Sequence, residues 1–381
     1  MTPLKTRSLA PSPANWGHGQ AIAEILAGCW RKEPLPAALE AAQLETLLPS
    51  LIGSGAGALA WRRLRHCALA GHPAALALQK IHFEQALDAK MHEREILWLL
   101  ETLRKEGIEP LLVKGWATAR LYPEVGMRAA GDIDLLIHPG DKAATERVLG
   151  VKVDDQTIYN TNFLWDVKTW VPAIYQLSAD TLFAHSERVR LGATELSILG
   201  AEEQLKMMCL HFLKHGGWRP LWLCDIAAAL EFRPAGFNWE RCLGSDRRCR
   251  DRVVCTLGLA HQLLGASVAG TPVARRAARL PAWLVPAVLQ QWETPQVSQN
   301  QADPLIIRSL RRRNGALQAV RKRWPTPMQA IMKCQIPLDW PPLLSQTGAF
   351  AFSGLDFLKR TPRLLREEKA VSTPIAPSHS K

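Results

Sequence analysis

Between residues 73 and 107 apolar side chains recur at Leu76, Ile81, Leu87, Met91, Ile96, Leu99, Leu100 and Leu103, a spacing that predicts one long helix stopped by Gly107. AIAEILAGCW and LPAALEAAQLETLLPSLI upstream keep the same period, so residues 17–104 are expected to form a helical layer. The period changes after Ile108. IEPLLVKG reads as a short strand, WATARLYP as a helix stopped by Pro123, DIDLLIHP as a compact strand stopped by Pro139, and GDKAATERVL as a helix that Asp141 can cap. TIYNTNFLWDVKTWV and RVRLGATELSIL are β-prone, the latter turning at Gly192 and Ala193. Helices are then expected over AEEQLKMMCLHFLKHGG, PLWLCDIAAALEF, 247–266 and 272–293. The division that follows is an N-terminal helical region (1–106), a strand-containing core (107–200), a helical domain (201–300), a basic C-terminal region (301–370) and a Pro- and Ser-rich tail without aromatic residues, expected to be disordered (371–381).

One strand breaks its apolar pattern. Asp132 and Asp134 flank only Ile133, and in a strand residues i and i+2 share a face, so two carboxylates would sit side by side. Burying two anions together is costly unless a cation compensates, and a hard divalent ion such as Mg²⁺ takes oxygen ligands. Gly131 precedes the pair, and the strand before it ends in Lys114 and Gly115. Glycine permits close approach of a ligand to the backbone, and a lysine meets phosphate as a point charge. The bland readings are a solvated strand-end Lys114 and an Arg128 that only neutralises an acidic neighbour; beside a metal, Arg128 would meet phosphate.

Composition narrows the class. With 47% apolar and 22% charged residues the chain is globular, and its net charge of +12 favours anionic partners such as nucleotides or nucleic acid. Basic residues concentrate at 308–323 and in FLKRTPRLLREEK. None of the eight cysteines forms a CxxC pair, which argues against a zinc site and for free thiols in a reducing cytosol. No stretch is long and apolar enough to span a bilayer, and no signal peptide is expected.

LLVKGWATARLYPEVGMRAAGDIDLLIHP resembles the first block of the uncharacterised nucleotidyltransferases of the polymerase-beta-like superfamily: a Lys-Gly strand end, Tyr-Pro, an arginine, then Asp-Ile-Asp. EEQLKMMCLHFLKHGGWRPLWLCDIAAAL is similar to a second block, with His211, His215, Trp222 and Asp225 at matching positions. The resemblance spans residues from about 85 to 265. It implies an α+β fold, a small mixed β-sheet core at 107–200 flanked by N-terminal and C-terminal helical regions. It further implies transfer of a nucleoside monophosphate from a triphosphate such as ATP to a hydroxyl. Asp132 and Asp134 would bind Mg²⁺ (or Mn²⁺), Asp166 in FLWDVKTW would be the third catalytic and metal-binding carboxylate, and Lys114, Gly115 and Arg128 would bind the nucleotide. Gly-Ser elsewhere in the superfamily is here Lys114-Gly115-Trp116, so Lys114 would replace the serine. Asp166 reaches the pair only if its strand keeps register after the short connection from Gly150 to Trp165.

His211 and His215, at i and i+4, share a helical face and read as packing or hydrogen-bonding residues rather than metal ligands. Asp225 lies in an apolar helix and needs a partner, which either histidine could supply; Tyr122-Pro123 reads as a helix stop with an aromatic anchor. The acceptor stays open among a sugar, a small metabolite, an RNA end and a protein side chain. Two other functions compete. A nucleic-acid-binding protein on a degenerate nucleotidyltransferase fold would have no use for paired acids, and a glycosyltransferase would need a nucleotide-binding α/β domain where residues 17–104 read as helices.

Overall fold

In a computed structural model the described residues are 17–154, 158–159 (backbone only), 163–293, 324–332, 333–334 (backbone only) and 343–351. Two compact units divide the chain at Gln299 and Asn300. The basic segment 308–323, FLKRTPRLLREEK and the tail lie outside the described residues. In the second unit the described residues comprise the helix Pro327–Cys334 and a helix at 343–351.

The first unit opens with four helices, α1 (His18–Leu26), α2 (Ala41–Gly53), α3 (Gly57–Leu64) and α4 (Pro73–Arg104). Pro73 occupies the first turn of α4, where its missing N–H is no loss, and the His72 side chain accepts from the Ala74 amide at 3.3 Å. Only the ends of the α4 apolar stripe are buried. Ala74, Ala75 and Leu78 are buried at one end and Ile96, Leu99, Leu100 and Leu103 at the other, while Leu76 and, between the ends, Phe83 and Leu87 are exposed. The 32-residue helix extends past the elements that cover its two ends.

The core alternates as expected: β1 (Leu111–Val113), α5 (Trp116–Ala119), β2 (Ile133–Leu136), α6 (Lys142–Leu149), β3 (Ile158–Tyr159), β4 (Leu164–Lys168), α7 (Ala179–Ala184), β5 (Glu187–Leu191) and β6 (Thr194–Ile198). The six strands form one sheet in the order β3-β4-β2-β1-β6-β5. β1 with β6 and β2 with β4 are parallel and the other pairs antiparallel, so the sheet is mixed and the fold α+β. Leu112, Ile133, Leu135, Trp165 and Val167 point to one face, packed on Ile96, Leu99, Leu100 and Leu103 of α4. Two local expectations change. α5 ends at Ala119, short of Pro123, and Asp141 stands at the N-cap of α6 without a side-chain hydrogen bond.

The helices beyond the sheet are α8 (Ala201–Lys214), α9 (Pro220–Glu231), α10 (Trp239–Leu243), α11 (Arg247–Leu264), α12 (Ala274–Ala277) and α13 (Leu284–Trp292). The single helix expected over 272–293 is thus broken in two, Pro281 lying in the gap. The seven cysteines whose side chains are described are free, and no helix among the described residues is long and apolar enough to cross a membrane.

Candidate active site

The packing of one sheet face arms the other. Because Ile133 and Leu135 of β2 and Trp165 and Val167 of β4 fill the core, Asp134 and Asp166 between them turn outward. Asp134 is the direct partner of Asp166 across the parallel β2–β4 pair, so the two carboxylates stand on neighbouring strands, on the same face. Asp132 lies two residues before Asp134, just ahead of β2. Burial raises the Asp134 carboxyl above its ordinary pKa, and the charges of Asp132 and Asp166 push the same way. Lys114 opposes them, with Nζ 3.2 Å from Asp134 Oδ1. Burial disfavours the Lys114 ammonium, but attraction to Asp134, Tyr175 and Asp166 outweighs it and holds its pKa above the ordinary value. Lys168 Nζ lies 2.9 Å from Asp166 Oδ1, a buried oxygen that accepts no aligned hydrogen bond.

The Lys-Gly strand end is built for close approach. Lys114 takes φ 59° and Gly115 φ 46°, both in the region that favours glycine. A Cβ at position 115 would stand 3.3 Å from the Asp132 carbonyl oxygen, so glycine here lets the β1 end touch the acidic loop.

α4 braces that loop from beneath. Glu93 accepts from Trp116 Nε1 at 3.2 Å and Glu95 accepts from Trp165 Nε1, so one helix turn holds the residue after Gly115 and the residue before Asp166. His92 of the same helix is buried, 4.8 Å edge-on from Phe163, and burial lowers its imidazole pKa against the pull of the Asp132 and Gly131 backbone. These polar residues on an inward helix face went unremarked in the sequence; a run of acids and histidine just before a buried apolar stretch was the available sign.

Arg128 is placed away from open solvent, its Nε 3.0 Å from both Asp225 oxygens. Tyr122 donates its hydroxyl to Asp225 Oδ1 at 2.8 Å, and burial first, then Asp225, sends the phenol well above its ordinary pKa. The partner of Asp225 is therefore an arginine and a tyrosine, not the histidine expected, and Tyr122 is more than an anchor.

The histidines instead form an aromatic corner where α8 meets α9. His211 and His215 are 4.4 Å apart by ring centroids, each packs on Trp222, and Tyr175 Oη lies 3.2 Å from His211 Nδ1. This agrees with a packing and hydrogen-bonding role. Burial, reinforced by Lys114 and neighbouring cations, holds His211 well below its ordinary pKa and His215 down at about 4. Lys214 and Arg219 are lowered too, by burial first, then by Lys114 and Arg128 respectively. Lys168, Tyr175, Lys214 and Arg219 were not singled out by the sequence, although LKHGGWR gathers cations around two glycines.

Among the described residues no three or more His, Cys, Asp and Glu side chains are grouped closely enough to hold a metal ion. The donor chemistry nevertheless fits a hard cation. Asp134 and Asp166 offer only oxygens, Asp166 Oδ1 lacks an aligned hydrogen bond, and two lysine ammoniums already stand in as positive charge. No curated protein and no solved structure is detectably similar to the chain. Residues 40–265, more than half of the chain, match the model of a family described as uncharacterised nucleotidyltransferase, and they contain the six-stranded sheet, its acidic face and the α8–α9 corner: the chain belongs to that family.

Proposed function

We propose that the protein is a Mg²⁺- or Mn²⁺-dependent nucleotidyltransferase that moves a nucleoside monophosphate from a nucleoside triphosphate to a hydroxyl of its acceptor. The in-register Asp134 and Asp166, with Asp132 at the strand start, carry the reading. Asp132, Asp134 and Asp166 would hold the metal, which when bound neutralises charge at the α-phosphate and on the departing pyrophosphate. Asp166 takes the proton of the attacking hydroxyl as the acceptor oxygen bonds to the α-phosphorus and the bond to the β-phosphate oxygen breaks. Lys114, Gly115 and Arg128 would bind the nucleotide, Arg128 from its place beside Asp225.

A second reading draws on Lys114 and Lys168, which neutralise Asp134 and Asp166 with protein charges alone: a nucleic-acid-binding protein on a degenerate fold. One experiment separates the two. The protein is incubated with each nucleoside triphosphate labelled at the α- or the γ-phosphate, Mg²⁺ or Mn²⁺, and cell extract. Transfer of the α-label but not the γ-label, abolished by chelation and by Asp134→Asn, is the expected result, and the labelled fraction names the acceptor class. Absence of α-label transfer together with salt-dependent binding of nucleic acid would replace the first reading with the second.

A further inference from the structure

The two cations singled out beside the acidic strands are already matched, Lys114 by Asp134 at 3.2 Å and Arg128 by Asp225 at 3.0 Å. Lys214 and Arg219 are not. No carboxylate among the described residues pairs with either. Lys214, the last residue of α8, holds its Nζ 5.9 Å over the Tyr175 ring. Arg219, at the N-cap of α9, donates Nε to the Ser54 carbonyl at 2.8 Å and lies 5.5 Å over the Trp222 ring. Both are near enough to the matched cations to be repelled by them, Lys214 by Lys114 and Arg219 by Arg128. Gathering like charges is unfavourable unless an anion of several charges completes the set. Asp225 and Asp132 attract Arg219, but Asp225 is held by Arg128 and Tyr122 and Asp132 does not pair with Arg219, so an anion from outside would complete the set. Arg219 is also preorganised by its ring and carbonyl contacts, which reduces the ordering a ligand must impose.

We propose that Lys214, over the Tyr175 ring, and Arg219, over the Trp222 ring, form a polyphosphate subsite that takes the β- and γ-phosphates of the donor nucleotide. The proposal rests on the nucleotidyl-transfer reading. It also separates two duties: Lys114 stays with the acids, while the helical corner grips the part of the donor that leaves.

Lys214 is exposed, so its replacement leaves the packing in place. Dissociation constants for a non-hydrolysable nucleoside triphosphate, the matching monophosphate and inorganic tripolyphosphate are measured for the wild type, Lys214→Ala and Lys214→Arg, with urea midpoints to verify folding. Lys214→Ala is expected to weaken the triphosphate and tripolyphosphate about tenfold while leaving the monophosphate within about twofold, and Lys214→Arg to restore binding. Wild-type binding of tripolyphosphate but not of nucleotide would keep the subsite and remove the transfer reading. Unchanged triphosphate affinity in Lys214→Ala, or equal losses for mono- and triphosphate, would overturn the subsite and leave that reading standing. Binding of neither probe by the wild type would overturn both.

Discussion

Asp134 carries the sharpest conflict between stability and chemistry. Burial and two neighbouring acids raise its pKa, so the folded protein keeps a proton there at pH values where the unfolded chain has lost it. Stability from this group is therefore present at low pH and declines as pH rises through the raised value. Asp134→Asn should abolish transfer yet raise the melting temperature of the metal-free protein at neutral pH, a pair of effects read by thermal unfolding and α-label transfer. Asp166→Asn should divide the steps differently: nucleotide affinity by calorimetry within about threefold of the wild type, with the transfer rate reduced by two or more orders of magnitude, as loss of a general base entails. His215 works with the opposite sign. With its pKa lowered to about 4, the folded state resists a proton that the unfolded chain takes up near 6.5, so this stability is complete above about 6.5 and is lost as pH falls toward 4. His215→Gln should flatten the fall of the urea midpoint between pH 7 and 5 relative to the wild type.

At the level of elements, α4 both holds the core and aims the site. Leu99 and Leu100 fill the sheet's inner face, while Glu93 and Glu95, one to two turns earlier, hold Trp116 and Trp165 beside Gly115 and Asp166. Leu99→Ala should lower unfolding free energy by about 2–5 kcal/mol, the range for emptying a buried leucine site, as measured in urea. The long-helix expectation from the 73–107 pattern matches α4, since helical periodicity is a property of contiguous residues. Which part of that stripe would be buried was not legible: Leu87 and Leu99 look alike in sequence, and only the extent of the sheet separates them.

On the scale of the molecule, the matched family region, the sheet and the α8–α9 corner all fall within the unit ending at Gln299. A fragment of residues 1–299 should therefore melt cooperatively and keep triphosphate affinity within about threefold of the full chain, tested by circular dichroism and calorimetry. The net charge of +12 has a local counterpart in Lys114, Lys214 and Arg219, all of which act on His211. Total charge pointed to anionic partners; folding is what concentrates part of it against the acidic face.

The sequence alone determined what adjacent residues can decide: the helical and alternating periods, the closeness of Asp132 and Asp134 along the chain, and the Lys-Gly strand end that Gly115 justifies by its φ and its nearness to Asp132. Tertiary structure decided the pairings. Asp166 meets Asp134 through strand register, which a one-residue slip would reverse by turning the carboxylate into the core. Asp225 meets Arg128 across 97 residues and Tyr122 across 103, and no local pattern encodes such a contact because it depends on how α9 packs against the connection between α5 and β2. The same holds for Lys214 and Arg219, ordinary surface cations in sequence that become a charged corner only when α8 and α9 are brought against the acidic face of the sheet.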